Sequence, residues 1–222
     1  FFTVSQSISQ ESNPLIIQTK YGLVEGEYDN NNTLVWRGIP YAKAPIGELR
    51  WKAPIETENW TGILKTKKFG NPPLQYHAFF ENKIYGSEDC LYLNIWKPDS
   101  QVEKLPVYVW IHGGGNSVGY ADQMYEYYGH EIAARSNVIY VSINYRLGPF
   151  GWLTHPALRT SDNPNDNSGN YGTLDIIQAL KWIQENIEAF GGDPERVLIS
   201  GESAGGINIL SLMISPQAQG LF

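Results

Sequence analysis

The stretch Val197-Leu198-Ile199-Ser200-Gly201-Glu202-Ser203-Ala204-Gly205-Gly206 leaves the chain few ways to fold. Four residues suited to a buried strand run into a G-x-S-x-G pentapeptide, and an apolar segment with helical character follows. A strand that turns abruptly into a helix crowds its own backbone, so residues without a Cβ are needed on both sides of the serine. The pattern predicts a nucleophile elbow, with the Ser203 hydroxyl projecting from the turn above a helix N-terminus that favours negative charge.

The rest of the chain fits around that turn. The segments 105–111 and 138–143 are near-continuous apolar runs, as expected of strands covered on both faces, and 91–96 reads as a further strand. Glu131 to Arg135 is expected to be helical. Leu174, Ile177, Leu180, Ile183, Ile187 and Phe190 recur at helical spacing, and Gly191-Gly192 with Pro194 ends that helix. Alternating strands and helices predict an α/β fold with a mostly parallel central sheet flanked by helices. Two short apolar runs between Leu15 and Gly26, and the turn signal Asp29-Asn30-Asn31-Asn32, predict a small antiparallel sheet before it. Residues 70 to 86 read as a long loop.

The 222 residues suffice for a single domain with a real core. The balance of 23 acidic against 16 basic residues, a net charge of −7, argues against a nucleic-acid partner, and no apolar run reaches the ~20 residues of a membrane span. The start at Phe1-Phe2-Thr3 fits a removed leader or an arbitrary boundary; the compartment stays open, with a slight lean towards an extracytoplasmic one. The sequons at Asn31 and Asn59 carry little weight in an asparagine-rich chain. Cys90, the only cysteine, cannot form an internal disulfide and reads as a core residue.

A serine hydroxyl needs a base, a group to orient that base, and donors for the oxyanion. His112-Gly113-Gly114-Gly115, directly after a buried strand, is a candidate for the donors, because three glycines let backbone N–H groups approach a substrate oxygen. Such donors are worth about 3 kcal/mol each in a transition state.

Taken together, Arg37-Gly-Ile-Pro-Tyr-Ala42 with Leu49-Arg-Trp51, Ser87-Glu-Asp-Cys-Leu-Tyr-Leu-Asn94, the glycine element, Asn144-Tyr-Arg-Leu-Gly148, Phe190-Gly-Gly-Asp-Pro194 and the elbow resemble the type-B carboxylesterases, the cholinesterase-like branch of the α/β-hydrolases. The resemblance runs from Gly22 to Phe222 and is to the N-terminal part of that fold. It implies that Ser203 is the nucleophile and that Gly114, Gly115 and Ala204 are oxyanion donors. It further implies that Arg50 with Glu88 and Arg146 with Asp175 form structural ion pairs. Glu202, Asn116, Phe79 and Phe80 are implied pocket residues, the substrate is a small carboxylic ester, and no metal or organic cofactor is required.

Three departures stand out. The loop that relatives often close with a disulfide has no cysteine from 66 to 89, which leaves Cys90 without its partner. Phe79 and Phe80 stand where cholinesterases carry a cation-binding tryptophan, which argues against a choline ester. Asn116 stands where a phenylalanine commonly follows the glycines.

In this family the triad acid and histidine follow the serine, yet the nineteen residues after Ser203 contain no histidine, aspartate or glutamate. The expectation is therefore a domain truncated at its C-terminus, with an incomplete sheet, whose triad partners lie beyond residue 222. Such a piece needs the remainder of the hydrolase domain for activity. The alternative is a non-catalytic cholinesterase-like adhesion or scaffold module, although relatives of that kind usually lack the serine retained here.

Overall fold

A computed structural model describes residues 13–77 and 83–222. Eleven strands follow one another: β1 (Ile16–Thr19), β2 (Gly22–Glu25), β3 (Glu27–Asp29), β4 (Thr33–Pro40), β5 (Ile63–Lys65), β6 (Gln75–His77), β7 (Lys83–Tyr85), β8 (Tyr92–Pro98), β9 (Leu105–Ile111), β10 (Ile139–Ile143) and β11 (Gly192–Gly201). The helices are α1 (His130–Ser136), α2 (Gly148–Gly151), α3 (Tyr171–Asn186) and α4 (Ala204–Met213). None of the described helices is long and apolar enough to cross a membrane.

Local chemistry sets the boundaries. Asn31 and Asn32 adopt positive φ, which asparagine tolerates, and so fold β3 back on β4. Asn137, also left-handed, ends α1 and returns its N–H to the Ala133 carbonyl. The apolar face of α3 continues through a 3-10 turn at Ile187–Phe190 and stops at Gly191, at φ 85.

Six strands form the main sheet in the order β11-β9-β10-β8-β4-β3. Its pairing corrects the expectation of a mostly parallel sheet: β9 pairs in parallel with β10 and β11, whereas the β10–β8, β8–β4 and β4–β3 ladders are antiparallel. A parallel pair needs a crossover connection, and α1 and α3 supply one only to β9→β10 and β10→β11. The N-terminal sheet is likewise mixed, because β5 adds in parallel to the antiparallel β1–β2 hairpin, and β3 and β4 belong to the main sheet instead. Within the stretch expected to be loop, β6 and β7 pair as a hairpin.

The main sheet carries a layer on each face. Side chains alternate along β9, with Leu105, Val107, Val109 and Ile111 in the larger core with Ile177, Leu180 and Ile183 of α3. Tyr108 and Trp110 face the other way, towards Trp96, Tyr140 and Ala133 of α1. β10 is buried throughout. β11 is not. It stands at the sheet edge, only Gly192 and Ile199 along it are buried, and Leu198 is 60% exposed. Its apolar residues predict strand correctly, and its exposed edge is that of the incomplete sheet expected from sequence.

One buried ion pair ties the end of β10 to α3. Arg146 places Nη2 2.7 Å from Asp175 Oδ1 and Nε 2.8 Å from Oδ2, and its own N–H also donates to Oδ2. The two side chains are 3% and 0% exposed. Burial alone would pull the guanidinium pKa down, but the adjacent carboxylate holds it above its ordinary value. Asp175→Ala would strand that cation in the core, at a cost of about 3–5 kcal/mol in urea unfolding. Arg50→Ala, at a side chain 39% exposed, should move the midpoint far less.

Candidate active site

The register brings three chain segments to one edge. Ile143 and Gly201 both lie opposite Ile111, so the loops after β9, β10 and β11 leave the sheet side by side at the C-terminal ends of its parallel strands. The chain passes from β9 to β10 on one side, and from β10 back across to β11 on the other. Strand order thus reverses at β9, and ligands of open α/β sheets bind in the crevice such a reversal creates.

At the end of β11, Ser203 is held at φ 52 and ψ −118, a conformation non-glycine residues avoid. Serine is a favoured N-cap, and Ser203 occupies that position on α4, yet its hydroxyl makes no capping bond. The strained backbone turns Oγ away from the helix, and the residue is exposed. Only glycines permit the turn. A Cβ on Gly205 would sit 2.1 Å from the Ile111 carbonyl oxygen, and one on Gly201 would sit 2.8 Å from the same atom.

The glycine loop after β9 runs against this elbow, since a Cβ on Gly113 would lie 2.7 Å from the Glu202 carbonyl oxygen and 3.1 Å from Ser203 Cβ. Gly114 and Gly115 are exposed, with φ of 103 and 62. Among the described residues, no protein acceptor takes the backbone N–H of Gly114, Gly115 or Ala204.

Both ends of the loop are anchored. His112 is wholly buried, stacks on Tyr145 at 4.4 Å, and places Nδ1 2.9 Å from the Gly113 carbonyl oxygen. Further on, the Gln75 amide accepts from Gly119 N–H at 2.8 Å and donates to its carbonyl at 3.1 Å. The long segment before β8 thus includes a clamp on the glycine loop.

The remaining residues singled out by sequence fall into place unevenly. Glu202 accepts a 2.8 Å hydrogen bond from the Tyr127 hydroxyl, whose pKa burial and that carboxylate push up to about 12. Asn116 pairs with Asn208 of α4. Arg50 grips Glu88 through two contacts of 2.5 and 2.6 Å and stacks over Trp51. Phe79 and Phe80 lie outside the described residues. His130 meets the Tyr125 hydroxyl and His155 accepts from Ala157 N–H, so neither these nor His112 hydrogen-bonds Ser203. Sequence reasoning missed Gln75, Tyr127 and Asn208. Their partners are 44, 75 and 92 residues away, and no local pattern marks them.

The profile described as "Carboxylesterase family" matches residues 13–222. The chain belongs to the carboxylesterase family. It is 44% identical over 211 residues to the para-nitrobenzyl esterase of Bacillus subtilis (strain 168), covering 93% of this chain and 42% of that protein. It is also 44% identical over 218 residues to the juvenile hormone esterase of Tribolium castaneum, covering 95% of this chain and 35% of that one. A solved structure of a PNB esterase superposes with a TM-score of 0.85 at 44% identity, over 95% of this chain and 42% of its own length. This carboxylesterase chain therefore has the α/β-hydrolase fold and spans about two-fifths of the length of these relatives.

Two outcomes follow from this geometry. Gly205→Ala should abolish the native elbow, read as loss of soluble folded protein or of Ser203 labelling by a fluorophosphonate, because the added methyl meets backbone that cannot move aside. Burial pushes the His112 pKa down to about 4, so its neutral form belongs to the fold. The stability this contributes is complete above the unfolded value of about 6.5, is lost as pH falls towards 4, and is on the order of 3 kcal/mol. Burial pushes the Asp122 carboxyl up to about 6, which works in the opposite direction over the same range. Denaturant melts of His112→Phe should accordingly lose less stability than the parent between pH 7 and 4, the Asp122 contribution being left unopposed by that of His112.

Proposed function

We propose that the protein is a serine carboxylic-ester hydrolase that works through an acyl-enzyme. The observation carrying this reading is Ser203 itself, exposed, strained at φ 52 and free of the capping bond its position invites, beside a glycine loop with unclaimed N–H groups. In this reading Ser203 Oγ attacks the ester carbonyl carbon as its proton passes to a base. The carbonyl electron pair moves onto oxygen, and the N–H groups of Gly114, Gly115 and Ala204 receive the charge. The alcohol leaves with a proton, and water then releases the acid by the reverse sequence of bond changes.

The base and its orienting acid lie, in this proposal, beyond residue 222. His130 and His155 are engaged elsewhere, and His112 is too weakly basic. The remainder of the hydrolase domain is the partner the chain needs. The relatives' names speak of para-nitrobenzyl, fumonisin B1 and juvenile hormone esters, which supports a small-molecule carboxylic ester as substrate without choosing among them.

In the complete protein, Ser203→Ala should lower kcat on a short-chain aryl ester by at least about 10⁴-fold and abolish fluorophosphonate labelling, with melting temperature little changed. An unchanged rate would refute the assignment, whereas a parent protein with neither esterase activity nor fluorophosphonate labelling would favour a non-catalytic adhesion or scaffold module.

A further inference from the structure

We infer that Asn116 and Asn208 form a strut that fixes the spacing of the oxyanion donors, and that they are positioning residues for the ester hydrolysis proposed above, on which this inference rests. Their side-chain amides pair head to tail. Asn116 Nδ2 donates to Asn208 Oδ1 at 3.1 Å, and Asn208 Nδ2 donates to Asn116 Oδ1 at 2.9 Å. Two antiparallel bonds between planar groups fix relative rotation as well as distance, and Asn208 is 3% exposed, so water competes little for them.

The location gives the pair its consequence. Asn208 lies one turn into α4, the helix with Ser203 at its N-cap and Ala204 as its first residue. Asn116 directly follows Gly114 and Gly115. The strut therefore links the element carrying one proposed donor to the loop carrying the other two. That loop needs such a link. Between the anchors at His112 and Gly119, the span 113–115 has no side chains, and a Cβ on Gly115 would meet nothing within 4 Å. Asn116 is the first residue after the glycines able to hold the loop sideways, and its carbonyl also accepts the Gly148 N–H at 2.7 Å.

Asn116 has φ 55, and asparagine tolerates that conformation, so the competing explanation is that it serves the backbone alone. Glycine serves the backbone equally well and cannot form the strut. The variants are Asn116→Gly, Asn208→Ala and the double variant, made in the complete protein and assayed on a short-chain aryl ester and with an aryl trifluoromethyl ketone. The ketone probes the hole directly: Ser203 Oγ bonds to its carbonyl carbon, the π pair moves to oxygen, and the serine proton passes to the base.

Each single variant should lower kcat by about 10- to 100-fold with KM within about threefold, since a displacement near 1 Å is enough for such losses. Affinity for the ketone should fall by a similar factor, and the double variant should be no worse than the weaker single one. A kcat for Asn116→Gly within about twofold of the parent would overturn the inference, as would a rise in KM alone or multiplicative losses in the double variant. If Asn208→Ala fails to fold, Asn116→Gly decides alone. Retained activity in Asn116→Gly while Ser203→Ala is inactive defeats only the strut. Retained activity in Ser203→Ala defeats the hydrolase reading itself.

Discussion

The carbonyl oxygen of Ile111, the last residue of β9, is where the backbone of the site closes on itself. Gly201 and Gly205 approach it from the neighbouring strand and from the first turn of α4, closely enough that a methyl group on either would collide with it. Main chain therefore packs on main chain, with no side chain available to adjust. The strain at Ser203 follows from this, since a strand hydrogen-bonded in register with β9 and a helix pressed on the end of β9 can be joined only by a sharp, left-handed turn. Ladder and packing hold the serine in a conformation it would otherwise leave.

The same closure brings the second component of the site into place. Because Gly201 lies opposite Ile111, the residues following each of them emerge together, and Gly113 runs against the Glu202 backbone. The glycine loop carries no side chain at the contact, so it depends on support from farther away. His112 and Tyr145 stack beneath the glycine loop, Gln75 clamps its far end, and Tyr127 holds Glu202 beside the serine. The loop-rich region before β8, which contributes little to the main sheet, thus reaches the site through the Gln75 amide.

What could be read from sequence follows the range of the forces involved. The elbow, the glycine loop, β9, β10 and α3 are written in contiguous residues, because steric exclusion at a turn and apolar periodicity act over a few positions. Strand direction was less legible: β8 has the same apolar look whether its neighbours run with it or against it, and connection geometry decides the matter. The polar clamps could not be found locally at all. Asn208 sits in an apolar helical run where its amide looks misplaced, and its partners come from elsewhere in the chain, Asn116 from 92 residues away and Tyr145.

None of His112, His130 and His155 hydrogen-bonds Ser203, and for His112 the reason lies in how the glycine loop is held. The glycine loop rests on His112, which is buried completely, with Nδ1 2.9 Å from the Gly113 carbonyl oxygen. That burial is what lowers its pKa to about 4, and an imidazole so weakly basic accepts a serine proton poorly at neutral pH. A histidine useful as a base must instead keep a pKa near the working pH, which requires partial exposure and a carboxylate behind it. The two roles place opposite demands on the same ring. An imidazole buried to underpin the glycine loop is by that burial a poor base at neutral pH.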